Sequence, residues 1–522
     1  MIGLFEEKDV DLAARIGRLK TPRGWLETPA LLPVIDPARQ EVSPEEIIQA
    51  GFKAVITNAY LAMKRLGKPV DIHEAIGFKG IVMTDSGAYQ LLRYGRVEAT
   101  NKEIIEYEKR INTDIAVILD VPTGTTRDRR EAEESVHETL RRAREALQYI
   151  DPDKRVWTLP IQGGPFKDLV EYSARESAKL AEHYQLYALG SPTVLLERYS
   201  YSDILDMIYT TRKIIPRSHP LHLFGAGHPM IIPFAVALGV DLFDSASYIL
   251  YARDDRYMTP TKTYRLKNLP TLPCSCPICI KHTPEDLMQL PKPERTRLLA
   301  LHNLYVLRQV LNEVKTAIRE GRLWELLEER SKAHPSIYAA FKRYRKYMDY
   351  IEPLSPRIKS AILRGVFIYD HHSALNPKIR SHWNRVTKNY RPRKCPSEAH
   401  LIPILPGEKP FTNSQMYRRL SKPGRHVIGY APIIGPVPEE LAETYPLSQF
   451  EAPYSDEVDE ETARITAARL TDYIATHQDC YERIVIHYTE EAAWSRQIAC
   501  RAVEALKEKG IEATCTPYQQ HQ

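Results

Sequence analysis

The chain has 522 residues, 43% apolar and 27% charged, with a formal net charge of +5. That balance excludes a disordered or fibrous chain, and the length calls for two or three domains. No apolar run approaches the ~20 residues that span a bilayer, and the N-terminus MIGLFEEKDVDLAARIG is acidic where a signal peptide is basic, so a cytoplasmic protein without a membrane partner is expected.

Short runs rich in β-branched residues alternate with longer segments of helical period. The predicted strands are PALLPVID (29–36), KAVITNAY (53–60), GIVMTDSG (80–87) and IAVILD (115–120). They continue with RVWTLPIQGG (155–164), LYALGS (186–191), PLHLFGAG (220–227) and VDLFDSAS (240–247). Amphipathic stretches such as REAEESVHETLRRAREALQYI and DLVEYSARESAKLAEHY lie between the later ones. Strands joined by helices of this length pair in parallel, and eight such units predict a closed (β/α)8 TIM barrel over residues 1–265. Asp85, Asp120, Gln162 and Asp244 each fall at the C-terminal end of a predicted strand, the face where barrel enzymes keep their chemistry.

Beyond residue 265 the pattern changes. A cysteine cluster and the helical stretch ERTRLLALHNLYVLRQVLNEVKTAIREG predict a zinc-binding subdomain, with helices closing the barrel, over 266–350. Residues 353–425 carry 15 Lys/Arg against 3 Asp/Glu, and a basic linker suited to a polyanionic partner is expected over 351–425. Trp383, Tyr390 and the arginines of this segment suit base stacking and phosphate contact. Residues 431–463 then carry nine acids and no Lys or Arg, a stretch expected to face away from any polyanion. Strands HVIGYAPII and ERIVIHY with two helices predict a small α/β domain over 426–522.

Seven cysteines in a cytosolic chain argue against a disulfide framework, and Cys395, Cys480, Cys500 and Cys515 read as ordinary thiols. Cys274, Cys276 and Cys279 instead fall within six residues, close enough to converge on one tetrahedral zinc ion. Spacing alone leaves the fourth ligand open between His282 and His302. Four protein ligands close such a site, which makes the zinc structural. Asp85 in TDSGAYQ and Asp244 in DLFDSAS both leave strands. Two carboxylates across a barrel mouth suit chemistry at an anomeric carbon, one as nucleophile and one handling protons.

Taken together and in order, TDSGAYQ, ILDVPTG, PIQGG, YALGSPT, LHLFGAGHP, GVDLFDSASYILYARDDRYMT and CSCPIC…LHNLY resemble the tRNA-guanine transglycosylases over roughly residues 10–350. The resemblance implies a (β/α)8 barrel with a zinc subdomain. It implies Asp244 as the nucleophile on C1′ and Asp85 as the second catalytic aspartate. Asp120 is implied to bind the Watson–Crick edge of the base, Tyr89 to stack on it, and Gln162 and Gly190 to complete the pocket. The zinc ligands implied are Cys274, Cys276, Cys279 and His302. FDSASYILYARDDRYMT resembles the archaeal branch, which exchanges guanine 15 of the tRNA D-arm for 7-cyano-7-deazaguanine on the route to archaeosine. The family commonly forms homodimers, and archaeal members often end in a small RNA-binding PUA module. None is recognisable before Gln522, so docking is expected to rest on the basic segment or on a separate PUA-like protein. The alternatives are a queuosine-type enzyme acting on the wobble guanine and a non-catalytic tRNA-binding paralogue.

Overall fold

The computed structural model describes residues 1–88, 99–190, 192–359, 364–393, 395–452 and 456–518, in two units, Met1–Tyr350 and Ile351–Gln522. Eight strands form the centre of the first unit: β1 (Ala30–Pro33), β2 (Ala54–Asn58), β3 (Ile81–Asp85), β4 (Ile115–Val117), β5 (Val156–Ile161), β6 (Leu186–Leu189), β7 (Leu221–Leu223) and β8 (Leu242–Ser245). All eight fall inside the predicted runs. Their order is β1-β8-β7-β6-β5-β4-β3-β2, and every neighbouring pair is parallel. A parallel bridge from Val34 to Ile56, with Ile35 N–H donating to the Ile56 carbonyl at 2.8 Å, joins β1 to β2 and closes the ring. Closure leaves no strand edge unpaired, and the strands are apolar on both faces because side chains fill the interior while helices cover the outside. β5 is buried at all six positions. The expected barrel is therefore the observed one.

Helix Arg129–Ala146 shows why the intervening segments are helical. Ala132, Val136, Leu140 and Ala143 make one buried stripe, and the Asp128 side chain caps the first turn by accepting from Arg130 N–H. A three-stranded antiparallel sheet, Phe5–Asp11, Ala14–Thr21 and Gly24–Thr28, precedes the barrel and lay outside the sequence expectation. Its Leu19 and Leu26 pack with Ala54, Ile81, Ile115 and Val156, the first residues of their strands, and so plug the N-terminal mouth. The C-terminal mouth is thereby left for chemistry. After β8 the 29-residue helix Lys292–Glu320 packs on the barrel and ends at Gly321, whose φ of 70° suits the left-handed cap.

The second unit is built on a five-stranded sheet: β9 (Glu398–Pro403), β10 (Arg425–Ala431), β11 (Gly435–Pro438), β12 (Arg483–Tyr488) and β13 (Thr514–Pro517), in the order β11-β10-β9-β12-β13. Only β10 and β11 pair antiparallel. Helices Glu460–Thr476 and Ala493–Glu508 contribute Leu470, Tyr473, Trp494 and Ile498 to the core beneath the sheet. The stretch 351–425, expected as a linker, thus supplies the central strand of this sheet. The second unit also corrects two expectations. Cys395 and Cys480 form a disulfide rather than standing as free thiols. Trp383 is only 5% exposed, its indole N–H donates to the carbonyls of Ile433 and Ile434, and Arg469 covers its ring, so it is a core residue with no face left for a base. Tyr390 is similarly engaged, donating to Glu440 at 2.8 Å and packed beside Tyr473. Among the described residues no helix is long and apolar enough to cross a membrane.

Candidate active site and metal cluster

β3, β4, β5, β6 and β8 deliver Asp85, Asp120, Gln162, Gly190 and Asp244 to one end of the barrel, while Tyr89 lies outside the described residues. Asp85 is the last residue of β3 and is paired in register with Asn58 of β2, whose amide donates to its Oδ2 at 3.2 Å. The turn that follows needs Gly87. Its φ is +91°, and a Cβ there would lie 2.4 Å from that of Tyr60. This turn aims the N–H groups of Ser86 and Gly87 at the Asp85 carboxylate, favouring the charged form. Burial wins nonetheless. Reinforced by the charges of Asp120 and Asp244, it pushes the Asp85 carboxyl up to about 7.

Asp120 is 5% exposed and accepts from the Gln162 amide at 2.5 Å. Burial pushes its carboxyl up to about 6, against the stabilising hydrogen bond from Gln162. Gln162 is held at its other end, its Oε1 accepting from Thr123 N–H at 3.1 Å. A Cβ at position 190 would come within 2.3 Å of Gln162 Nε2, so Gly190 leaves the space in which the Gln162–Asp120 pair sits.

Asp244 is held through one oxygen. Its Oδ1 meets His222 Nε2 at 2.9 Å and accepts from Gly225 N–H at 2.8 Å, while Oδ2 has no hydrogen-bond partner among the described residues. His222 is fully buried on β7, and its Nδ1 has no partner, so the proton facing an ionised Asp244 sits on Nε2. Sequence reasoning missed both His222 and Asn58. Their signal lies in register: His222 aligns with Leu242, two residues before Asp244, and so shares its face. Strand order supplies that alignment, and local patterning does not.

Cys274, Cys276, Cys279 and His302 converge with their ligand atoms all within 4.8 Å of one another. Cys276 Sγ lies 3.5 Å from Cys279 Sγ, and His302 Nδ1 lies 3.5 and 3.3 Å from those two sulfurs. Tetrahedral zinc with Zn–S ~2.3 Å and Zn–N ~2.05 Å sets ligand-to-ligand edges of roughly 3.5–3.8 Å, so the donor set and spacing fit a metal ion. His302 Nε2 lies 2.8 Å from the Met258 carbonyl, which fixes the tautomer that presents Nδ1 to the thiols. Tyr257 stacks on the His302 ring at 3.7 Å and reaches Cys279 Sγ at 3.2 Å. His282 is not part of the cluster.

Comparison with known proteins identifies the family. The family model described as queuine tRNA-ribosyltransferase matches residues 9–336, and a domain of unknown function matches 379–521. A protein of Aeropyrum pernix named tRNA-guanine(15) transglycosylase is 47% identical over 510 residues, covering 97% of each chain. One of the same name from Sulfolobus acidocaldarius is 44% identical, covering 93% of this chain and 95% of its own. Another from Thermococcus onnurineus is 45% identical over 362 residues, 68% of this chain and 62% of its own.

Proposed function

The chain belongs to the queuine tRNA-ribosyltransferase family, and on that premise we propose that it is a tRNA-guanine transglycosylase exchanging guanine 15 in the D-arm of tRNA for 7-cyano-7-deazaguanine, an early step toward archaeosine. Relatives named for guanine 15 align along nearly the whole chain, which favours that position over the wobble guanine. The observation that carries the chemistry is the contrast between two aspartates at one barrel mouth: Asp244, anchored through a single oxygen, and Asp85, buried enough to hold a proton near neutrality.

In this reading the free Oδ2 of Asp244 attacks C1′ of the target nucleoside. The C1′–Oδ2 bond forms as C1′–N9 breaks, and guanine leaves with the electron pair. Asp85 supplies the proton guanine needs, which a carboxyl near 7 does at little cost at neutral pH. The incoming base returns a proton from its N9 to Asp85 and displaces Asp244 from C1′, regenerating both carboxyl groups. Asp120, oriented by Gln162, accepts the N1–H and N2–H donors of the guanine edge. The target must leave its stack to reach these carboxyl groups, at a cost of about a few kcal/mol.

Cys274, Cys276, Cys279 and His302 would hold one zinc ion, which when bound supplies a structural crosslink and no open coordination position. Homodimer formation, and docking of tRNA either through the second unit or through a separate RNA-binding partner, belong to the same proposal. The test is incorporation of labelled guanine into a D-arm-containing tRNA transcript and into one with position 15 replaced, with Asp244→Ala alongside. Label in the first transcript only, lost in the variant, is expected. Label in both transcripts would move the site to another base, the wobble guanine first. No label at all would favour a non-catalytic paralogue.

A further inference from the structure

The second unit contains a cavity of about 220 Å³, lined by none of the residues of the barrel mouth or the metal cluster. One wall is the segment Ser355–Arg357, and the other is the C-terminal end of helix Pro377–Asn384 with the turn after it. That turn, Arg385–Asn389, is π-helical, closed by Tyr390 N–H donating to the Arg385 carbonyl at 2.9 Å. A wide turn of this kind is rare and concentrates at functional sites. It brings Arg385 and Asn389 to the same wall as Ser381 and Asn384.

Charge and hydrogen bonding then define the occupant. Among the described residues Arg357 has no acidic partner, and the guanidinium of Arg385 makes one long contact, 3.4 Å to Thr444 Oγ1. The one carboxylate in the lining, Glu352, is neutralised by its ion pair with Arg380. Two arginines with no carboxylate partner among the described residues therefore line a cavity edged by amide and hydroxyl side chains. Ser355, which lines the same cleft, adds a second, independent sign: its Oγ is buried and has no hydrogen-bond partner among the described residues. A buried orphan of this kind is destabilising unless a ligand group satisfies it. The volume is below the ~300 Å³ of small-molecule sites, and no aromatic face or free carboxylate is present to read a base.

We propose that this cleft binds a phosphodiester group of the tRNA backbone, clamped between Arg357 and Arg385 with Ser355 Oγ donating to one oxygen. The inference rests on the reading that tRNA is the substrate. It replaces the expected stacking role of Trp383 with a contact that positions RNA and carries no sequence information.

The experiment is tRNA binding by the full chain between 50 and 300 mM salt for the wild type, Arg357→Ala, Arg385→Ala, the double variant and Arg385→Lys. Arg464→Ala serves as a control, because that guanidinium is already neutralised by Glu461 on the surface. Each arginine removed should weaken tRNA binding about tenfold, and the double variant should lower the salt dependence by about one ion. Arg385→Lys should keep most of the salt dependence. Arg357 is exposed, so its variant reports even if the Arg385 variants fail to fold. Unchanged affinity and salt slope in folded Arg357→Ala and double variants would overturn the proposal, as would an equal loss in Arg464→Ala. Tight binding of inorganic phosphate alone, with tRNA affinity the same in all variants, would make this a small-anion site and also overturn it. A wild type that exchanges guanine while the double variant binds tRNA normally refutes only the cleft. A wild type that neither binds nor exchanges tRNA refutes the transglycosylase reading beneath it.

Discussion

Replacing Asp85 by asparagine should abolish exchange and stabilise the protein, and the second effect follows from the site's electrostatics. The Asp85 carboxyl rises from an ordinary 3.8 to about 7, chiefly through burial and then through the charges of Asp120 and Asp244. At 1.36 kcal/mol per pH unit, ionising it in the folded protein costs about 4 kcal/mol more than in the unfolded chain. Between pH 4 and 7 the folded state holds a proton that the unfolded state has released. Stability therefore falls as pH rises through that window, and the full penalty is present above about pH 7. Asparagine mimics the protonated form, keeps an oxygen for Asn58 to donate to, and removes the penalty. Urea unfolding of the wild type and Asp85→Asn at pH 4.5, 6 and 8 reads the difference. The variant should gain roughly up to 4 kcal/mol at pH 8, with the gain shrinking toward zero at pH 4.5. A gain independent of pH, or a less stable variant at pH 8, would refute the argument that burial and carboxylate crowding hold this proton.

Two further outcomes follow from the same geometry. His222→Phe preserves ring packing but leaves Asp244 Oδ1 with only the Gly225 N–H, and one hydrogen bond to a charged group is worth about 1.5–3 kcal/mol. kcat should fall roughly ten- to hundredfold with KM for tRNA little changed, and an unaltered kcat would remove His222 from any positioning role. Cys276→Ala, or chelation of the wild type, should eliminate bound metal and lower the melting temperature of the first unit; unchanged metal content and melting would rule out the Cys3His site.

Much of the first unit was legible in the amino-acid sequence because a barrel strand buried on both faces leaves a compositional mark. AVITN and IVMTD are nearly continuous apolar runs ending in a polar residue, VWTLPI is one followed directly by Gln162, and each became a strand with that polar residue at the mouth. The cysteine triplet was equally legible, since three thiols within six residues have few other uses. The first sheet escaped notice because FEEKDVD and ARIGRLKT mix charge with apolar residues and owe their burial to the barrel mouth they plug. The strand Glu398–Pro403 was hidden by the basic residues around it and became central only through its parallel partners on both sides. Trp383 read as a stacking platform because its surroundings in sequence are cationic, whereas in space its neighbours are core side chains. Composition and periodicity record which residues must be buried and which chemistry they carry. Partners far apart in sequence are set by strand order, register and packing: His222 beside Asp244, Gln162 against Asp120, His302 over the thiols, and two arginines around one cleft. No local pattern encodes them, because each contact exists only once the intervening chain has folded back and closed the loop between its two ends.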